Sequence, residues 1–164
     1  MRDQRKKLEG QVALITGASS GIGAGIAKAF AGEGATVVIN YSGSREKAEA
    51  VLAEVKKIGG SGITLKADVG NEEAVVVMFQ QVLSQFGTLD ILVNNAGVQK
   101  DAALHEMRLA DWDAVMRINL TGQFLCAREA IKEFMRRGVV PARSKSAGKF
   151  FCISSVYEVL PWAG

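Results

Sequence analysis

Short apolar runs alternate with longer amphipathic stretches along the whole chain, and this pattern restricts the fold more than any single motif does. Val12 to Thr16 is a brief apolar run bounded by glycine, and the alanine-rich stretch Ile22 to Ala31 after it reads as a helix. Ala35 to Asn40 is short and β-branched, as a strand buried on both faces should be. Ser44 to Ile58 sets Ala48, Val51, Leu52, Val55 and Ile58 on one helical stripe, and Ile63 to Val69 reads as a third strand. Asn71 offers an N-cap with Glu72 and Glu73 in the first turn, and Val75, Met78, Phe79, Val82, Leu83 and Phe86 keep the helical rhythm up to a stop at Gly87. Leu89 to Val93 is a fourth strand, Ala110 to Arg137 a long helix, Gly138 to Gly148 a polar loop, and Lys149 to Val156 a fifth strand.

Strand and helix in strict alternation predict a parallel sheet covered by helices on both faces. Right-handed crossovers leave few windings, and the expectation is an α/β, doubly wound, Rossmann-like sheet of strand order 3-2-1-4-5. With 164 residues, 48% hydrophobic and 23% charged, the chain has the make-up of one domain spanning residues 1–164. The net charge of +3 comes from Met1 to Lys7 and from scattered basic residues between Arg136 and Lys149, without interleaved aromatics, so nucleic acid is not an expected partner. No apolar segment is long enough for a signal peptide or a membrane span. Cys126 and Cys152 lack metal-ligand spacing and sit in apolar runs, which reads as no metal site and two buried thiols in a reducing cytoplasm.

Between the first strand and the first helix lies Thr16-Gly17-Ala18-Ser19-Ser20-Gly21-Ile22-Gly23. Glycines there let the backbone turn tightly and approach a pyrophosphate, while the N–H groups opening the helix face its charge. No Gly-Lys-Ser/Thr follows, so the turn is not a P-loop. In dinucleotide folds an acidic residue near the end of the second strand hydrogen-bonds the adenosine ribose and repels a 2′-phosphate. Asn40 stands there, followed by Tyr41-Ser42-Gly43-Ser44-Arg45, so the repulsive charge is absent. Ser42 and Ser44 supply hydroxyl donors, and Arg45 is either a planar cation suited to phosphate or a solvated charge on the first turn of the next helix. NADP(H) is the expected cofactor, with NAD(H) as the alternative.

Several segments occur together in one order: the glycine turn, Asp68-Val69 after the third strand, Asn94-Asn95-Ala96-Gly97 after the fourth, Asn-Leu-Thr-Gly at Asn119, and Ile153-Ser154-Ser155-Val156 on the fifth. In this the chain resembles the short-chain dehydrogenases/reductases from about Leu8 to Gly164. The resemblance implies an oxidoreductase that moves a hydride between a nicotinamide cofactor and an alcohol or carbonyl. It implies cofactor contacts from Gly17, Ser19, Ser20, Gly21, Ile22 and Gly23 at the pyrophosphate. Asn40, Tyr41, Ser42 and Arg45 would serve the ribose end, Asp68 and Val69 the adenine, and Asn95, Ala96 and Gly97 the length of the cofactor. It also implies homo-oligomers, often tetramers, built through the long helix.

Catalysis in that family uses a Tyr that moves the proton, a Lys that lowers its pKa, a Ser that orients the substrate oxygen, and an Asn that holds a water. By the resemblance, Asn119 is the Asn, and Ser155 rather than Ser154 is the Ser, on its offset from Val-x-Glu and on the rule that neighbours in a strand face opposite ways. Tyr-x-x-x-Lys belongs beyond Gly164; neither Tyr41 nor Tyr157 has Lys four residues on. The expectation is a fold truncated after the fifth strand, with Phe150 to Ile153 an exposed edge and no activity from this segment alone. Leu104 to Met107, Ala110 to Trp112, Arg128 to Lys132 and Ser154 to Trp162 look most like glucose 1-dehydrogenases, which makes a sugar the expected substrate. Gln99 and Tyr157 depart from that pattern, as does the Val139 to Gly148 insertion. A 3-oxoacyl thioester reductase, similar around Asn40-Tyr41, and a non-catalytic nucleotide-binding module are the alternatives. His105 reads as a surface residue.

Overall fold

The computed structural model describes residues 6–160, so the basic start and the Pro161 to Gly164 end lie outside the described residues. The elements are β1 (Val12–Ile15), α1 (Gly21–Gly32), β2 (Thr36–Tyr41), α2 (Arg45–Lys57), β3 (Ser61–Lys66), α3 (Glu72–Phe86), β4 (Ile91–Asn94), α4 (Leu109–Met116), a π-helical turn (Arg117–Thr121), α5 (Gly122–Arg137), β5 (Lys149–Cys152) and a 3-10 turn (Val156–Glu158). Every strand pairing is parallel, and the order is β3-β2-β1-β4-β5. The winding is the one expected from the alternation.

Strand pleating explains how helices cover both faces. Ala13 and Ile15 of β1 and Val37 and Ile39 of β2 pack with Ala24, Ala27 and Ala31 of α1 and with Ala48, Val51, Leu52 and Val55 of α2. Their neighbours Val12, Leu14, Val38 and Leu92 turn the other way, onto Val75, Met78, Phe79 and Val82 of α3 and Leu125, Cys126, Ala130 and Phe134 of α5. Burying a Leu or Ile side chain is worth ~1.5–3 kcal/mol, and strands apolar on both faces collect this twice over. Small alanines on α1 let that helix lie close to the sheet, which brings the Thr16 to Gly23 turn over the carboxyl ends of the strands.

Helix ends follow their local chemistry. The Asn71 side chain accepts from the Ala74 N–H, and Gly87 stops α3 in the left-handed region at φ 72. Ser44 caps α2 by accepting from the Lys47 N–H. The stretch read as one helix from Ala110 begins at Leu109 and is interrupted by the π turn. A π turn carries an extra residue and shifts the helical face, a change that apolar periodicity does not register.

Two expectations at the fifth strand are corrected. β5 ends at Cys152 instead of Val156, and Cys152 is exposed while Cys126 is buried. The reason is position: β5 is an edge strand, and Phe150 and Phe151 remain about half exposed, whereas Ile153 packs against the core. The polar loop before it is anchored by Arg137, which donates to the buried Asp90 carboxylate, to the Thr88 hydroxyl at 2.8 Å and to the Ala147 carbonyl.

Candidate functional site

The carboxyl ends of β1, β2 and β4 meet around Thr16. Its buried hydroxyl donates to the Val93 carbonyl at 3.3 Å and accepts the N–H groups of Asn95 at 2.9 Å and Ala96 at 3.0 Å. In return, the Asn95 carboxamide donates to the carbonyls of Thr16 at 2.9 Å and Gly17 at 3.2 Å. These bonds fix the glycine turn against the Asn94 to Gly97 segment. The turn fits only without side chains: at Gly17 (φ +60) a Cβ would lie 2.8 Å from the Ala96 Cα, and at Gly23 it would lie 2.5 Å from the Asn95 Nδ2. α1 then opens with no side-chain cap at Ser20 and no acidic residue in its first turn. Uncapped first-turn N–H groups beside a glycine cradle are a donor set suited to a diphosphate.

Asn40 and Asp68 border a recess of about 170 Å³ next to this turn, together with Gly17, Ser42, Val69 and Val98. The Asn40 Oδ1 accepts from the Gly17 N–H at 3.1 Å, and its Nδ2 donates to the carbonyls of Ala67 at 3.1 Å and Leu65 at 3.4 Å. Its side chain therefore braces the turn against the end of β3. Tyr41 is buried in the core between the sheet and α1 and α2, away from the recess, while Ser42 and Arg45 are exposed. Ser44 is occupied by capping and by its bond to Glu46 at 2.8 Å, whereas Arg45 makes a long pair with Glu49 at 3.7 Å. Asp68 accepts from the Gly70 N–H at 2.9 Å and from Arg117 at 2.7 Å. Burial raises the Asp68 pKa, but the Arg117 hydrogen bond, the Gly70 N–H and the Arg117 charge outweigh it and hold the carboxyl below the usual aspartate range.

A larger cleft of about 760 Å³ adjoins the turn. Ile22, Asn95, Ala96 and Gly97 line it together with Asn119, Ser154, Ser155 and Tyr157. Asn119 and Ser155, far apart in sequence, are thus brought to one space. Asn119 is carried by the π turn; its Oδ1 accepts from the Val98 N–H at 2.8 Å and its Nδ2 donates to the Val98 carbonyl at 2.9 Å. The Ser155 Oγ accepts from the Tyr157 N–H at 3.2 Å, and the Ser154 Oγ from the Ser155 N–H at 2.6 Å. Because β5 has ended before them, strand alternation does not separate the two serines, and both border the cleft. Gln99 and Trp112 line it too, with Gln99 donating to both oxygens of Asp101 at 3.0 and 2.8 Å. His105 lies on the surface with 83% of its side chain exposed.

Sequence reasoning did not assign a role to Thr16, although it stands directly before the first glycine. Arg117 left no local signal, because its partner Asp68 lies 49 residues away.

The short chain dehydrogenase family matches residues 11–164. A curated relative, the 3-oxoacyl-[acyl-carrier-protein] reductase FabG of Staphylococcus aureus, is 46% identical over 125 residues, which cover 76% of this chain and 51% of that protein. Among solved structures, a short-chain dehydrogenase/reductase from Serratia marcescens superposes with a TM-score of 0.84 at 36% identity, covering 96% of this chain and 61% of that one. A short chain dehydrogenase from Burkholderia cenocepacia, solved in complex with NADP, gives 0.84 at 35% identity, with the same 96% and 61% coverage. The chain therefore spans about half the length of the curated relatives it matches. With the family's match running through the glycine turn, the recess and the cleft alike, this chain belongs to the short-chain dehydrogenase family.

Proposed function

We propose that the whole protein is an NADP(H)-preferring oxidoreductase that interconverts an alcohol and a carbonyl in the larger cleft. The observation that carries this reading is the uncapped glycine turn of α1 opening onto the same space as Asn119 and Ser155. When bound, the nicotinamide would accept or give the hydride. The backbone N–H groups of Gly21, Ile22 and Gly23 would hold the diphosphate, with Ser19 and Ser20 beside them. Val69, Asp68 and the Asn95 to Gly97 segment would line the remainder of the bound coenzyme. Ser42 and Arg45 would meet a ribose phosphate, since no carboxylate stands at Asn40 to repel one. The Ser155 hydroxyl, at the cleft, would hold a substrate oxygen, while Asn119 bonds the Val98 segment that lines the same cleft.

A sugar is our first reading of the substrate. Gln99, Lys100 and Asp101 offer hydroxyl partners in a cleft that the apolar Met107 and Trp112 also line. A 3-oxoacyl thioester is the second, supported by the 46% identity to a 3-oxoacyl-[acyl-carrier-protein] reductase. Leu120, Phe124 and Met135, exposed by 60%, 59% and 79% along the helix, support assembly with further copies. Calorimetry of the whole protein with NADP+ and NAD+ tests the central claim, and uptake of neither form would overturn it. Glucose-dependent NADPH formation, set against thioester-dependent NADPH consumption, divides the two substrates.

A further inference from the structure

Neighbouring residues of one π turn line the two spaces, Ile118 the recess and Asn119 the cleft. Arg117 begins the turn and reaches back to Asp68 at 2.7 Å; Asn119, two residues on, reaches forward to both polar backbone atoms of Val98. The loop that carries Asp68 is interlocked with this turn at two further points. A Cβ on Gly70 would lie 2.4 Å from a guanidinium nitrogen of Arg117, so the arginine lies directly across that glycine. A Cβ on Gly122, at the other end of the turn, would lie 2.8 Å from the Val69 Cγ2. Ile118, between the two anchoring side chains, lines the recess together with Val98 itself.

An exposed ion pair on its own contributes little. This one differs in what it joins. Both Asp68 oxygens are engaged, one by the Gly70 N–H and one by Arg117, so a displacement of the loop must be passed to the guanidinium or break a charge-assisted bond. A π turn is a locally disfavoured helical register that depends on tertiary partners, and here those partners are Asp68, which lines the recess, and Val98, which lines both the recess and the cleft.

We propose that Arg117 is a positioning residue that, by gripping Asp68 across Gly70, makes the nucleoside recess and the Asn119 clamp one mechanical unit. A ligand seated in the recess then steadies the Val98 segment of the cleft before any substrate arrives. This rests on the dinucleotide reading given above, but it concerns coupling within the chain and not the hydride chemistry.

The test uses the whole protein without substrate, with adenosine 2′-phosphate as the probe for the recess. Calorimetry gives its affinity, and amide hydrogen exchange of Val98 reads the Asn119 clamp. In the unsubstituted protein, saturation with the probe slows Val98 exchange by about fivefold. In Arg117→Met the probe still binds when its concentration is raised, but Val98 exchange no longer responds. Arg117→Lys restores part of the response, and Gly70→Ala, which leaves both charges in place but pushes the guanidinium aside, lowers it. Equal slowing in Arg117→Met and in the parent would overturn the proposal. So would probe binding without any Val98 response in the parent, and in that case the coenzyme reading would stand. If the parent takes up neither the probe nor either coenzyme, both readings fall together.

Discussion

Thr16 and Asn95 hold each other at both ends: the Thr16 hydroxyl accepts the Asn95 N–H at 2.9 Å, and the Asn95 carboxamide donates to the Thr16 carbonyl at 2.9 Å. Replacing Thr16 by Val keeps the shape but leaves the N–H groups of Asn95 and Ala96 without their acceptor. An unsatisfied buried donor costs ~1–3 kcal/mol, and the urea midpoint should fall accordingly, while Thr16→Ser stays close to the parent. A Val variant within about 0.5 kcal/mol of the parent would show that the pairing carries little weight.

Gly17 and Gly21 both lie in the left-handed region, at φ +60 and +55, but only Gly17 is crowded; a Cβ on Gly21 would meet no atom within 4 Å. Each substitution to Ala incurs a backbone cost of ~1–2 kcal/mol. At Gly17 the contact with Ala96 adds to it and displaces the segment that closes the cradle. Thermal unfolding should therefore drop further for Gly17→Ala than for Gly21→Ala, and coenzyme uptake should vanish in the former. Equal losses in the two variants would contradict the steric argument.

Arg45 opens α2, and 75% of its side chain is exposed. A charge-assisted contact to phosphate is worth ~1.5–3 kcal/mol, so Arg45→Ala should weaken NADP+ by about tenfold or more and leave NAD+ unchanged. Parallel titrations with the two coenzymes decide this. Asn40→Asp, the obvious way to convert the preference, should instead destabilise the chain, because its Nδ2 donates to two carbonyls that a carboxylate would repel.

Asp68 has a lower pKa in the folded chain than its ordinary value of 3.8, mainly through the Arg117 hydrogen bond acting against burial. A depressed carboxyl stabilises the fold above its unfolded pKa and ceases to do so as pH falls through its folded value. The stability gap between the parent and Asp68→Asn should accordingly be constant near neutrality and narrow below about pH 4. An unchanged gap at pH 3 would argue against the pairing.

Cys126 is buried, and burial, followed by the neighbouring Glu129 charge, pushes its thiol up to about 12. Cys152 is exposed on β5. A thiol reagent at mildly alkaline pH should modify Cys152 of the folded chain rapidly and Cys126 only on unfolding, which peptide mapping would show. Prompt labelling at Cys126 would mean that α5 opens readily.

The path from sequence to site differed from residue to residue. Asn71 and Gly87 were legible because capping is settled within a few residues of the chain, and the structure uses both as read. Tyr41, next to the expected ribose end, is packed in the core, since the last residue of a strand falls on one face or the other according to register. The sequence shows the missing charge at Asn40 but not its bonds to Gly17, Leu65 and Ala67, which join three strand ends that only folding brings together. The π turn escaped the periodicity entirely: one added residue leaves the apolar stripe readable while redirecting Asn119.

What the sequence determined by itself was the order of elements and the winding of the sheet. Apolar periodicity and turn chemistry are local, and right-handed crossovers then leave few topologies. Tertiary structure alone decided which polar side chains face the ligand spaces and which are used up in bracing them. Thr16 with Asn95, Asp68 with Arg117 and Asn119 with Val98 are separated by 79, 49 and 21 residues. Hydrogen bonds need partners within about 3 Å, a condition that no local pattern encodes and that only the packed sheet and its helices fulfil.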